Sequence, residues 1–285
     1  MPAARSFAAS LVSVAALVAA APAAASGPGR PTGNAGGRAA VERARALTGG
    51  RGVRSGRELT GALADVYAAL PQLSGDDRLE AHALLARPDD DQPDPGGTHK
   101  YSVPPAVVQK YCTAHFCVHY VKSTRDAPDQ TDNVGPDGQA PPDAVPDYVD
   151  QMASILENEV FPCENGTGDG ACSMTGGGWR LGGSSPGLGW TPPVPDNGLG
   201  GDDRLDVYIE DLFPSGIFGY VALDPTQKPS ARSAYGYMVV DKDFSRFANG
   251  DPAGGLADER VTIAHEYNHL LQNAYDFAAD KWMFE

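Results

Sequence analysis

The stretch 258–277, DERVTIAHEYNHLLQNAYDF, constrains this chain more than any other. Its apolar residues recur at helical spacing, and Asp258 stands where an N-cap belongs. One helix over these residues sets His265 and His269 on the same face, a turn apart. Two imidazoles at that spacing can take two corners of one tetrahedral metal ion. Glu266 follows the first histidine and projects to the side of that face. His265-Glu266-Tyr267-Asn268-His269 is therefore an H-E-x-x-H arrangement, in which the histidines hold zinc and the glutamate is the general base. Zinc lowers the pKa of a bound water to about 7, where a carboxylate can take its proton.

The segments upstream of this helix predict what it packs on. FCVHYV (116–121), RLDVYIEDL (204–212), FGYVALD (218–224) and SAYGYMVVD (233–241) alternate or are rich in β-formers. In the second, Leu205, Val207 and Ile209 share a face. AVPDYVDQMASILENEVF (144–161) reads as an amphipathic helix, and the Gly, Pro, Ser and Asp of 164–203 read as loop. Strands grouped ahead of a long helix predict an α+β domain over 99–285, with a twisted, mostly antiparallel or mixed sheet packed on the H-E-x-x-H helix.

The first 98 residues divide in two. Arg5, the apolar run 7–21 and the small residues Ala23-Ala24-Ala25 predict an export signal over 1–25. The apolar run is shorter than a membrane span needs, so the mature chain is expected to be secreted, with no membrane attachment. Residues 26–38 read as irregular. AAVERARALTG, ELTGALADVYAALPQL and DDRLEAHALLAR then carry helical spacing, with Asp76 or Asp77 as a cap for the third. PDDDQPDPGGT (88–98) reads as a linker. This region, 26–98, suits either a pro-segment covering a site until cleavage or an ordinary N-terminal helical subdomain.

Charge and cysteines narrow the partners. A net charge of −15 excludes a phosphate backbone as partner. In an exported chain, the four cysteines predict disulfides, with the spacing favouring Cys112–Cys117 and Cys163–Cys172. Asp196, Asp202, Asp203 and Asp206 lie in a Gly-rich stretch and are candidate calcium ligands, though the spacing is not that of an EF-hand. His115 and His119 read as structural. Tyr235, Gly236 and Tyr237 are candidates for a sheet edge that pairs with an extended peptide.

A catalytic zinc needs a third protein ligand. Gln272 and Tyr275 stand where a metzincin has Gly and His, so that class is excluded. The downstream acids are Asp276, Asp280 and Glu285. Asp276 lies about two turns beyond His269 along the same helix. Asp280 suits the N-cap of a second helix, and Glu285 would sit one turn into it.

HEYNHLLQNAYDFAADKWMFE resembles the secreted bacterial zinc metallopeptidases of the zincin superfamily whose third ligand is a glutamate in a W-x-x-E segment. Trp282-Met283-Phe284-Glu285 matches that segment, so the resemblance assigns the third ligand to Glu285. HFCVHYVKSTRDAP, AVPDYVDQMASILE, RLDVYIEDL and SAYGYMVVDKDF also resemble one bacterial set of metalloproteases in this superfamily, so the likeness spans about residues 111–285. Glu285 follows His269 by sixteen positions, a little less than in the aminopeptidase and thermolysin groups. The resemblance implies a zincin-like fold, one catalytic zinc held by His265, His269 and Glu285, and protein or peptide substrates. A monomer is expected. Because the chain stops on a presumed ligand, the natural protein is expected to continue beyond residue 285. The competing readings are a non-catalytic exported metal-binding or interaction module and a zinc hydrolase acting on esters or other amides.

Overall fold

Alternating side chains make a strand two-faced, and in β3 Leu205–Glu210 both faces are covered. Val207 and Ile209 turn to one side, Asp206, Tyr208 and Glu210 to the other, and all five are buried. The computed structural model describes residues 34–48, 56–90, 101, 107–128, 145–161, 198–227 and 234–276. Among them β3 is the centre of a five-stranded sheet with β1 Gln109–Cys112, β2 Phe116–Tyr120, β4 Gly219–Leu223 and β5 Gly236–Asp241, in the order β1-β2-β3-β5-β4. β1–β2 and β5–β4 pair antiparallel, while β2–β3 and β3–β5 pair parallel. The fold is thus α+β with a mixed sheet.

Helices cover both faces. One face, with Phe116, Val118, Val207, Ile209, Met238 and Val240, packs on α4 Asp147–Ile155 and on α5 Pro252–Asp276. The other face, with Val121, Tyr208, Tyr220, Ala222, Tyr237 and Val239, packs on α1 Asn34–Thr48, α2 Gly56–Ala69 and α3 Gly75–Leu84. Leu59, Leu63, Val66, Tyr67, Leu84 and Leu85 of this N-terminal layer share one apolar core with the sheet. No helix among the described residues is long and apolar enough to cross a membrane.

Several boundaries differ from expectation. α5 starts at Pro252, well ahead of Asp258, so Asp258 lies inside the helix and is not its cap. The capping oxygen is that of Asp251, which accepts from Ala253 N at 3.1 Å, and Pro252 suits the first turn. Gly254-Gly255 does not break the helix but lets the chain pass close by. A Cβ on Gly255 would lie 2.7 Å from Ser245 N. α1 begins at Asn34, within the stretch expected to be irregular, because Gly37 allows it to lie against Leu73, 2.7 Å from where a Cβ would stand. α3 is preceded by Ser74 and receives no side-chain cap bond. Asp76 and Asp77 lie in its first turn, where their charge favours the helix dipole, and Asp77 binds Arg38 at 2.8 Å.

β1 was not legible as a strand. It closes on β2 through a turn in which Thr113 N donates to Phe116 O at 2.9 Å, with Cys112 opposite Cys117. The disulfide Cys112–Cys117 forms as expected, Cα to Cα 4.1 Å. Cys163 and Cys172 lie outside the described residues, as do residues 1–25, read above as an export signal, and most of the stretch 88–98.

Candidate metal centre

The site is built where α5 crosses beneath the outer strand of the sheet. Gly219 of β4 makes the crossing close: a Cβ there would stand 3.0 Å from Thr262 Cγ2 and 3.3 Å from Glu266 Cγ. Tyr267, one residue on, buries its ring in the sheet core 5.7 Å from Phe116, which fixes the rotation of the helix. That rotation turns Glu266 toward β4 and leaves His265 half-buried and His269 buried.

The two imidazoles converge. His265 Nε2 and His269 Nε2 lie 3.0 Å apart, with their rings nearly perpendicular. Two corners of a tetrahedral zinc with ordinary Zn–N bonds lie roughly 3.3 Å apart, so the pair fits one shared ion. Gln272 holds the second ring from behind: His269 Nδ1 lies 3.0 Å from its Oε1. An amide oxygen only accepts, so Nδ1 carries the proton in this bond and Nε2 keeps its lone pair. Replacing Gln272 by Leu is expected to weaken zinc binding about 10- to 100-fold. Competition with a chromophoric chelator would measure this, and unchanged affinity would refute the role. Glu285, the expected third ligand, lies outside the described residues.

Two turns upstream, Glu259 is buried, and burial pushes its carboxyl up to about 7 against the opposing bond from Gln151 Nε2 at 2.6 Å. It ties α5 to α4, away from the histidines.

The structure also joins Glu266 to a residue that no motif marks. Thr60 of α2 has its Oγ1 3.3 Å from Glu266 Oε2 and accepts from Val221 N at 3.1 Å. An isolated threonine in an apolar helix gives no sequence signal beyond a polar residue among Leu59, Ala62 and Leu63.

A second buried polar cluster lies on the opposite face of the sheet. Arg87, 2 % exposed, pairs its Nη1 with Asp206 Oδ2 and its Nε with Asp224 Oδ2 at 3.3 Å. His119 Nε2 meets Asp206 Oδ1 at 2.6 Å, while Asp89 Oδ2 stands 3.3 Å from Nδ1, an ion-pair contact without hydrogen-bond geometry. Burial disfavours the His119 cation, but its two carboxylate neighbours outweigh that and raise its pKa. His119 is thus structural, as is His115, whose Nδ1 meets Glu157 Oε1 at 2.6 Å.

Of the calcium candidates, Asp206 turns inward to Arg87 and His119, Asp203 is exposed, and Asp202 binds Arg204 N at 2.9 Å. Asp196 lies outside the described residues. Asp202 does approach the sulfurs of Cys112 and Cys117, but those sulfurs are joined to each other and hold no metal. Tyr235, Gly236 and Tyr237 do not form a sheet edge, since β5 lies between β3 and β4. Gly236 reflects tight pairing, because a Cβ there would collide with Ala222 O, and Tyr237 Oη donates to Ala86 O at 2.6 Å. The outer strand on this side, among the described residues, is β4.

Comparisons with models of protein families, with curated proteins and with solved structures return no match.

Proposed function

We propose that this chain carries the zinc site of a secreted, zincin-like endopeptidase that hydrolyses peptide bonds in proteins or peptides. The observation that carries the reading is the meeting of His265 Nε2 and His269 Nε2 at 3.0 Å, with His269 held by Gln272 and Glu266 next in sequence. The donor set of two imidazoles suits zinc, and the resemblance of Trp282–Glu285 to the W-x-x-E segment supports Glu285 as third ligand. The export signal read at 1–25 and the Cys112–Cys117 disulfide support an extracellular location.

Zinc bound there would polarise the scissile carbonyl and acidify the attacking water. The chain's own residues do the rest. Glu266 takes the proton from that water and returns it to the leaving amine. Gln272 keeps the His269 ring in one tautomer and one orientation.

The test uses the protein as the cell makes it. It is expected to bind one zinc ion per chain and to cleave an unfolded protein such as reduced casein. Removing zinc with a chelator should stop cleavage, and adding zinc back should restore it. His265→Ala should lose both zinc and cleavage. A stoichiometric zinc complex with no turnover of protein, peptide or ester substrates would favour the non-catalytic module, and ester turnover alone would favour another hydrolase.

A further inference from the structure

We propose that Thr60 is a positioning residue for Glu266, and that the N-terminal helical layer is therefore a working part of the catalytic domain. The inference rests on the reading of Glu266 as general base.

The geometry is that of a two-bond bridge. Even-numbered residues of β4 face β5, as the register Tyr220↔Val239 and Ala222↔Tyr237 and the flanking bond Asp224 N to Tyr235 O at 3.1 Å require. Val221 N–H consequently points outward from the sheet, and it ends on Thr60 Oγ1. That bond uses a lone pair of the hydroxyl. The one hydroxyl proton is left to donate, and Glu266 Oε2 stands 3.3 Å away. Thr60 and Glu266 are each 2 % exposed, so the protein and not bulk water sets the rotamer of the carboxylate.

Such a bridge matters for a base. A glutamate side chain has three torsions to fix, and its carboxylate must meet the water in one orientation to take its proton. A bond to Oε2 fixes that orientation, and one oxygen suffices to carry the proton. Thr60 can do this only while α2 stays on the sheet. α2 is held there by the apolar core shared with β4 and β5, and the chain after α3 is pinned by Arg87 to Asp206 and Asp224. A layer that was removed to switch the enzyme on would take this contact with it.

The experiment compares Thr60→Val, Thr60→Ser and Glu266→Gln in the zinc-loaded full-length protein. Valine keeps the shape of threonine and removes the hydroxyl, whereas serine keeps the hydroxyl. Thr60→Val is expected to lower kcat about 10- to 100-fold, with KM and zinc affinity nearly unchanged. Thr60→Ser is expected to recover most of the kcat. Thr60→Ala gives the same comparison if the valine variant does not fold. A valine or alanine variant that keeps the wild-type kcat and only melts earlier would overturn the proposal and leave Thr60 a structural residue. A variant with raised kcat would overturn it in the other direction, since α2 would then be blocking the site. If Glu266→Gln itself keeps full activity, the reading of the base fails, and that outcome is independent of the Thr60 series.

Discussion

Glu266→Gln in the full-length protein is expected to keep zinc and to lose about 10²- to 10⁴-fold in kcat. The amide matches the carboxylate in shape and can still accept the hydroxyl of Thr60, which lies 3.3 Å from Oε2. It cannot take a proton at neutral pH. Position therefore stays and basicity goes, so the change isolates one role. Zinc affinity should barely move, because Glu266 turns toward β4 and Thr60 while the two Nε2 atoms converge on each other. Zinc content by elemental analysis, measured on the same sample as turnover, checks both halves. A variant that loses zinc would place Glu266 among the ligands; one that keeps turnover would remove it from the chemistry.

The helix that bears these residues could be read from the sequence because its signal is local. Two histidines four apart in an apolar-periodic run fix their own relative geometry, and the structure brings His265 and His269 together accordingly. The segments of β2, β3, β4 and β5 were legible for the same reason, since alternation acts over a few residues. The pairing of those strands was not. β2 reaches β3 in parallel across α4, and β5 inserts between β3 and β4, so neighbours in the sheet are set by contacts far apart in sequence. This is why β5 could be taken for an edge. The other face of β3 carried no mark of burial: Asp206, Tyr208 and Glu210 alternate with the apolar residues, yet they are covered by the N-terminal layer. Thr60 and Gln272 illustrate the same limit at the site. Each acts on a residue it meets through the fold or through a single helical turn, and neither type is marked by spacing.

Arg87→Met is expected to cost about 3–5 kcal/mol of folding stability. Arg87 is 2 % exposed and carries a charge that is balanced only inside the protein, by Asp206 and Asp224, which are 2 % and 3 % exposed. Its guanidinium also lies over the Tyr237 ring, 5.2 Å from the centroid. Methionine fills much of the same volume, so the cost is mainly that of Asp224 left without a cation and of Asp206 left with His119 alone. For a domain of this size the melting temperature should drop by roughly 6–20 °C. The double replacement of Asp206 and Asp224 by Asn alongside Arg87→Met removes both carboxylates that faced the guanidinium, leaves His119 to Asp89, and is expected to recover part of the loss. The order of the three melting temperatures decides the matter. If Arg87→Met melts with the wild type, the ion cluster does not hold the helical layer to the sheet. If it melts early and the neutral triple variant does not recover, packing around Arg87 matters more than its charge. The predicted order, wild type above the neutral variant above Arg87→Met, would make the cluster an electrostatic clasp between residues 56–90 and the sheet, and so the anchor that keeps Thr60 beside Glu266.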